Sequence, residues 1–200
     1  ENELVLYRYP APMKPDGIKP ETPMSGNFTV KDEFASQKLN LHWTFLRTPR
    51  EQWYDLQQRK GWLALQVRPE TCSGTDNPTF LGRRQQHLRC TSSVDIDFSA
   101  KAENEKAGLL VFQNETHFYF LCKSAVRGVP VVELYKSATG TGKTPSMELL
   151  ASQKLGSEST EISVKFRIEA LGQTYSFLYS AQPGKWIALK ENVDAHFLST

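Results

Sequence analysis

The feature that most constrains the fold of this chain is a strict alternation of apolar and polar residues in the segment EISVKFRIEA. The apolar residues that would share one side of an extended chain are Ile162, Val164, Phe166 and Ile168. Successive side chains of a β-strand point to opposite faces, so a period of two predicts a strand with one buried and one solvated face. Strands of this kind are typical of antiparallel sheets.

The same alternation recurs through most of the chain after residue 26. It appears in NLHWTFL, WLALQV, SVDIDFS and TYSFLYS, and turn-forming residues separate these runs. In the first run it predicts a core face made of Leu41, Trp43 and Phe45, and in the second it groups the apolar residues of 63–67. The best helix candidate, SMELLASQKL, is short and lies between strands. The pattern therefore predicts an all-β sandwich of two antiparallel sheets.

Two runs, AGLLVFQ and HFYFLCK, are apolar on both faces. In the second, Tyr119 and Leu121 share one side and Phe118, Phe120 and Cys122 share the other. A sheet whose outer face is exposed to solvent would not contain such strands. We expect both strands to be central, with their second face partly covered by a loop, by another domain or by a ligand.

The first 26 residues differ from the rest of the chain. YPAPMKPDGIKPETPMSG contains five prolines, which favour an extended, non-helical connection. The preceding LVLYRY could be a strand or an arm lying on a neighbouring domain. The composition therefore divides the chain into a tether over 1–26 and a β-sandwich domain over 27–200.

Charge and hydropathy exclude several classes of partner. The formal net charge is only +2, which gives no electrostatic reason to expect nucleic acid or an anionic membrane surface. No apolar run approaches the roughly 20 residues that span a bilayer. No signal peptide is visible at the start of the sequence, although Glu1 leaves open that one has been removed.

The three cysteines cannot all pair within one chain, and their separations match no metal-ligand pattern. They are interpreted mainly as buried thiols, and a Cys72–Cys90 disulfide stays open for an oxidising compartment. No spacing identifies a metal site, although sandwich domains that act on sugars often hold calcium. We therefore predict no cofactor and no metal ligand.

Catalysis has no positive support in the sequence, and we name no catalytic residue. Asp95 and Asp97 lie at i and i+2 on one predicted strand, so their side chains share a face. Two carboxylates placed in this way could flank a glycosidic bond, as glycosidases require. Solvated outer faces carry such pairs far more often. Aromatic residues could instead stack on sugars or cover a domain interface. The candidates for that role are Trp62, which is out of phase with its apolar neighbours, and Tyr119.

Four segments in order, WTFLRTPREQWYDLQQRKGWLAL, PTFLGRRQQH, TSSVDIDF and EKAGLLVFQNETHFYFL, closely resemble the C-terminal β-sandwich of glycoside hydrolase family 43. Enzymes of that family are β-xylosidases and α-L-arabinofuranosidases. The resemblance implies a concanavalin A-like jelly roll packed on a five-bladed catalytic propeller that lies outside these 200 residues. It also implies a further glycine- and aromatic-rich strand after AHFLST, without which one sheet edge is unpaired.

By this resemblance the chain is an accessory domain of a hemicellulose-degrading glycosidase, and it helps to close a pocket for xylo- or arabino-oligosaccharides. The alternative is a carbohydrate-binding module that works independently through exposed aromatics. The compartment is not indicated by the sequence, and a periplasmic or extracellular location is compatible with either function. Whether the chain itself counts as an enzyme is left open.

The run PTFLGRRQQHLRC is the most specific part of the resemblance. Neither of its faces is purely apolar, so Arg83, Arg84, Gln85 and Gln86, with His87, are predicted to form a buried or interfacial polar network that fixes a loop. Direct contact of the arginines with a sugar is the alternative. In similar enzymes a loop of the sandwich adds an aromatic wall to the active-site mouth. The resemblance makes Phe80 the candidate for that wall, with a core position as the alternative.

Overall fold

The computed structural model describes residues 26–138, 146–156 and 163–199. The predicted tether, apart from Gly26, and the first apolar residue of the alternating run, Ile162, lie outside the described residues. Within them the regular secondary structure is almost entirely β-strand, and the one helical turn is the 3-10 helix His196–Leu198. The predicted all-β class is confirmed.

Four strands of two residues come first, and eight strands of 8 to 10 residues follow. The short strands are β1 (Thr44–Phe45), β2 (Tyr54–Asp55), β3 (Ala64–Leu65) and β4 (Leu81–Gly82). The long strands are β5 (Arg89–Ile96), β6 (Ala107–Asn114), β7 (His117–Val126), β8 (Val129–Ala138), β9 (Ser146–Lys154), β10 (Val164–Leu171), β11 (Thr174–Gln182) and β12 (Lys185–Asp194).

The long strands form two antiparallel sheets of four strands. One sheet has the order β6-β7-β8-β9 and the other has the order β12-β11-β10-β5. In both sheets, paired strands are also consecutive in the chain, with one exception. That exception is β10, which pairs with β5, so that Val164 lies opposite Ile96. The short strands pair as β1 with β4 and β2 with β3.

The hydrophobic core lies between the two four-stranded sheets. Val164, Phe166 and Ile168 of β10 are 0 to 4% exposed, as the alternation predicts. Tyr175 and Phe177 of β11 join them on the same side. Residues of the facing sheet complete the core: Tyr119, Leu121, Val132 and Leu134. Burying one such side chain stabilises the fold by about 1.5–3 kcal/mol, so this layer contributes most of the stability.

The other face of β7 is covered by the chain itself. Phe118 and Cys122 point away from the core between the sheets and are nevertheless buried. Phe118 stacks on Phe112, and Phe112 in turn receives the edge of Phe80 with the ring centroids 5.2 Å apart. The sequence allowed a loop, another domain or a ligand to cover this face. The structure shows a loop of the same chain.

A polar cluster pins the connection between β5 and β6 to this face. Glu133 is only 3% exposed, and its carboxylate accepts hydrogen bonds from Lys106 Nζ at 3.1 Å and from the Tyr135 hydroxyl at 2.8 Å. Ser124 accepts a further hydrogen bond from Lys106 and donates to the carbonyl oxygen of Glu105. Burial of Glu133 is tolerated because its charge is paired and its oxygen is hydrogen-bonded.

The helix candidate SMELLASQKL is wrong as a helix, because Ser146–Lys154 forms β9. Eight pairs join it to β8, from Val131↔Lys154 to Ala138↔Ser146. Methionine, glutamate, leucine and alanine favour helices only weakly in isolation, and the hydrogen bonds and packing of a sheet override that preference.

The predicted core face of NLHWTFL is also wrong. Only Thr44 and Phe45 form a strand, and Leu41 is 98% exposed. Trp43 is half-buried and donates its indole N–H to Asp32 at 2.7 Å. In WLALQV, likewise, Leu65 and Val67 are 45% and 48% exposed. The local centre of this region is instead Trp53, 2% exposed, whose ring meets Phe45 edge-on at 5.4 Å.

Candidate functional site

The segment of residues 83–89, which links β4 to β5 and includes the first residue of β5, carries most of the predicted site residues. Two contacts tie it to the β10–β11 hairpin: the Tyr175 hydroxyl donates to Gln85 Oε1 at 3.2 Å, and Gly172 N–H donates to the carbonyl oxygen of Leu88 at 2.8 Å. His87 packs edge-on against Phe28, with the ring centroids 5.3 Å apart. The segment is thus held to the sandwich at two points and to Phe28 at a third.

The opposite side of this segment is open to solvent. Arg84, Gln86 and Leu88 are exposed, and Leu88 presents 75% of its surface. The structure describes no hydrogen bond or ion pair for the side chains of Arg83, Arg84 or Gln86. The buried form of the predicted network is therefore wrong, since only Gln85 and His87 are tied down. The interfacial form stays a prediction.

The charges of this segment are unbalanced. Nine arginines lie in the described residues, and four of them form ion pairs with carboxylates. The remaining five are Arg50, Arg83, Arg84, Arg89 and Arg127. Three of these five fall within the seven residues of 83–89, so unpaired guanidinium groups are concentrated in one short segment. We call Arg84, Gln86, Leu88 and Arg89 the docking strip.

Sequence reasoning missed Leu88 and Arg89 as members of this site. A signal was present, because Leu88 is in phase with Arg84 and Gln86, as Phe80 is at the start of the same run.

Phe80 directly precedes β4, two residues before Gly82. Its ring is half-buried and is fixed by the edge contact with Phe112. A Cβ atom added at Gly82 would come within 2.7 Å of Phe80 Cε1, so the ring occupies the space that any larger residue at position 82 would need. The Phe80 ring is thus packed against Gly82 and Phe112, and part of it is open to solvent.

The two aromatic candidates have different surroundings. Trp62 is half-buried, and the guanidinium carbon of Arg59 lies 4.1 Å from its ring centroid, covering one ring face. Tyr119 is 2% exposed in the core between the sheets and donates its hydroxyl to the carbonyl oxygen of Asp194 at 2.9 Å. A ring in that position does not fit the predicted stacking or interface role for Tyr119.

Both carboxylates of the pair Asp95 and Asp97 form ion pairs within the domain. Asp95 forms an ion pair with Lys165 at 3.0 Å, and Asp97 forms one with Arg59 at 2.5 Å. Each carboxylate therefore has its own cation. Among the residues described here, no group of three histidine, cysteine or acidic side chains is placed to hold a metal ion.

All three cysteines are free thiols. Burial raises the pKa of Cys72 to about 11, and it also raises the pKa values of Cys90 and Cys122. Thiols with raised pKa values stay protonated at neutral pH and react slowly. In the part of the chain that the structure covers, no helix has the length and apolar character to cross a membrane.

Comparison with known proteins places this geometry in a family. The family described as "Beta xylosidase C-terminal Concanavalin A-like domain" matches residues 31–200. A non-reducing end α-L-arabinofuranosidase of Bacteroides ovatus is 31% identical over 166 residues, which cover 78% of this chain and 31% of that protein. A xylosidase/arabinosidase of Butyrivibrio fibrisolvens is 35% identical over 105 residues, covering 51% of this chain and 20% of that protein.

Solved structures share the fold. Bacteroides ovatus xyloglucan PUL GH43B superposes with a TM-score of 0.72 at 26% identity, over 87% of this chain and 33% of that one. The chain thus spans about a third or less of the length of the relatives that it matches.

Proposed function

The chain belongs to the β-xylosidase C-terminal concanavalin A-like domains of glycoside hydrolase family 43, and from this premise we propose that it packs on the catalytic propeller of a glycosidase that cleaves xylosidic or arabinosidic bonds in hemicellulose. The observation that carries the proposal is the family match over residues 31–200 in a chain that spans only 31% of its arabinofuranosidase relative. The rest of such a protein supplies the catalytic partner.

The proposal assigns a task to each part of the chain. Residues 1–26 are the tether that leads from the catalytic domain, and residues 27–200 are the accessory domain. Phe80 is the aromatic wall of the sugar pocket. Its half-open ring, its fixed contact with Phe112 and its seat on Gly82 support that role, because a wall residue must hold one position before the sugar arrives.

The oligosaccharide would meet Phe80 only in the assembled enzyme. An aromatic ring packs against the apolar face of a pentose and excludes water from it. Removing one side of a pocket weakens the binding of substrate and transition state alike, which raises KM and leaves kcat nearly unchanged.

The test uses the polypeptide that joins this chain to its catalytic domain, assayed with nitrophenyl β-xyloside and nitrophenyl α-arabinofuranoside. We expect Phe80→Ala to raise KM about tenfold, which corresponds to the loss of about 1.4 kcal/mol of binding. Phe34→Ala is the matched control, because Phe34 is also half-buried and stacks on Trp43 away from the strip. Its KM should not change.

Two results would count against the proposal in different ways. An unchanged KM for Phe80→Ala would remove Phe80 from the pocket and leave the accessory role standing. Turnover of either substrate by the 200-residue chain alone would show that the chain is itself a hydrolase, which would overturn the accessory role.

A further inference from the structure

We propose that the docking strip binds a carboxylate-bearing surface of the catalytic domain and that this contact is electrostatic. The inference rests on the proposed function, because it specifies the partner surface in that assembly. It commits to a protein surface that presents acidic side chains opposite Arg84 and Arg89.

The charge of the strip indicates an anionic partner. Arg84 and Arg89 are exposed, and Arg83 beside them is half-buried. The structure describes no carboxylate within ion-pair distance of any of the three, whereas Arg47, Arg59 and other arginines of the same domain are paired. Arginine presents a planar fork of donors that matches a carboxylate in two hydrogen bonds.

The composition of the strip indicates protein and not polysaccharide. A sugar-binding platform needs an exposed aromatic ring, and residues 83–89 contain no phenylalanine, tyrosine or tryptophan. The ring that the segment does contain, His87, packs on Phe28. An exposed leucine beside arginine and an amide is typical of protein interfaces, in which arginine is enriched.

The anchoring of the strip indicates a surface that is ready for contact. The backbone of Leu88 is bound to Gly172, and Gln85 is bound to Tyr175, so both ends of the exposed run are fixed to the β10–β11 hairpin. A fixed strip loses little conformational entropy when it binds. Phe80 directly precedes β4, and the strip follows that two-residue strand, so a partner that has Phe80 at its pocket is within reach of the strip.

The experiment compares the thermal unfolding of two proteins, the 200-residue chain and the polypeptide that joins it to the catalytic domain. The variant is Arg84→Gln, which removes one charge and keeps a long amide side chain. The control is Arg127→Gln, because Arg127 is also exposed and unpaired but lies in the β7–β8 turn. Each protein is measured in about 20 mM and about 500 mM NaCl, where screening is weak and strong.

We expect Arg84→Gln to lower the unfolding temperature of the joined polypeptide by about 2–4 °C at low salt, the shift for the loss of one charge-assisted contact in a domain of this size. The shift should shrink at high salt, and the control should show none. The 200-residue chain should be unaffected by Arg84→Gln, because Arg84 has no described partner within it.

The other outcomes separate the inference from the proposed function. If the two domains of the joined polypeptide unfold independently, the packing fails and the inference fails with it. If they are coupled but Arg84→Gln has no effect, or an effect that salt does not change, the inference is wrong and the packing stands. An equal loss in both proteins would make Arg84 a structural residue. Glucuronoxylan that stabilises the 200-residue chain through Arg84 would identify a polysaccharide site, and would overturn the inference.

Discussion

The sandwich of β5–β12 and the flanking segment of residues 26–88 hold their shape by different means. Each strand of the sandwich is 8 to 10 residues long and continues a ladder of backbone hydrogen bonds. The strands of the flanking segment are two residues long. Its long-range contacts are mainly side chain to backbone, as in the bonds from Arg47 to the carbonyl oxygen of Asp76 and from Arg68 to that of Asn77.

This difference shows where stability and adaptability lie in the molecule. The two hydrogen-bonded sheets bury one continuous core between them, so the strands of the sandwich unfold together. A segment held by separate hydrogen bonds can open locally at a lower free energy. The docking strip lies at the junction of the two regions, with its backbone fixed to the sandwich and its side chains free. Substitutions in each region can test this division.

The largest effect is expected from a cavity in the core of the sandwich. Phe177 is fully buried on β11, and Phe177→Ala should lower the free energy of unfolding by about 3–5 kcal/mol. Denaturant titration of the 200-residue chain measures this. Phe45→Ala is the counterpart in the flanking segment, where the half-buried ring contacts Trp53 and Tyr54. Equal losses for both variants would contradict the division into two regions.

A somewhat smaller effect is expected from breaking the buried ion pair on the outer face. Lys106→Met leaves Glu133 buried without its cation and should cost about 3 kcal/mol, because the charge stays desolvated. The double variant Lys106→Met/Glu133→Leu should regain much of that loss in the same denaturant titration. If the double variant is as unstable as the sum of both single changes, the pair does not act as a unit.

Alkaline pH should weaken the sandwich. Burial raises the pKa of Tyr119 to about 12, and burial also raises the pKa values of Tyr135, Tyr175 and Tyr179. These phenols keep their protons in the folded state when the unfolded chain, with an ordinary pKa near 10, has released them. Their stabilising contribution is therefore complete below about pH 10 and is lost as the pH rises toward 12.

Unfolding by denaturant at pH 9 and pH 11.5 checks this, with Tyr119→Phe as the comparison. The variant loses the hydrogen bond to Asp194 but no longer titrates at this position, so its stability should fall less over the interval. A fall as steep as that of the unmodified chain would mean that Tyr119 does not contribute to the alkaline loss.

The smallest effect is expected within the flanking segment. Asn77 is 7% exposed and donates its amide to the carbonyl oxygen of Thr48 at 2.8 Å. Asn77→Ala should cost about 1 kcal/mol, confined to the segment. Amide hydrogen exchange should speed up near residues 48–50 and stay unchanged in β10 and β11. Faster exchange throughout the sandwich would show that the two regions open as one.

Sequence reasoning succeeded where one physical factor dominates. In β10 and β11 the pleat forces every second side chain into the core, so alternation alone predicted Phe166, Phe177 and their neighbours. It did not predict the strand β9, because the pairing that turns SMELLASQKL into a strand comes from β8, whose paired residues lie 8 to 23 positions earlier in the chain. Local preference cannot reveal such a partner.

The site was only partly predictable for a related reason. The run RRQQH was identified as unusual, and the resemblance supplied a partner domain. Whether Arg84 is buried or exposed depends on the hairpin that binds Gln85 and Leu88, and no pattern within the run reports on it. The wrong prediction that Leu41 and Trp43 share a core face has the same origin. Their run forms a strand of only two residues, and so short a strand does not determine which side chains are buried.

The pairing of β10 with β5 also has a consequence for how the protein is made. β5 ends at residue 96 and its neighbour in the sheet begins at residue 164. At a typical 5–20 residues per second, a ribosome needs roughly 3 to 14 s to synthesise the stretch between them. During this interval the backbone of β5 lacks its pairing strand, β10. We expect the yield of the protein in a foreign host to depend on chaperones that shield nascent strands.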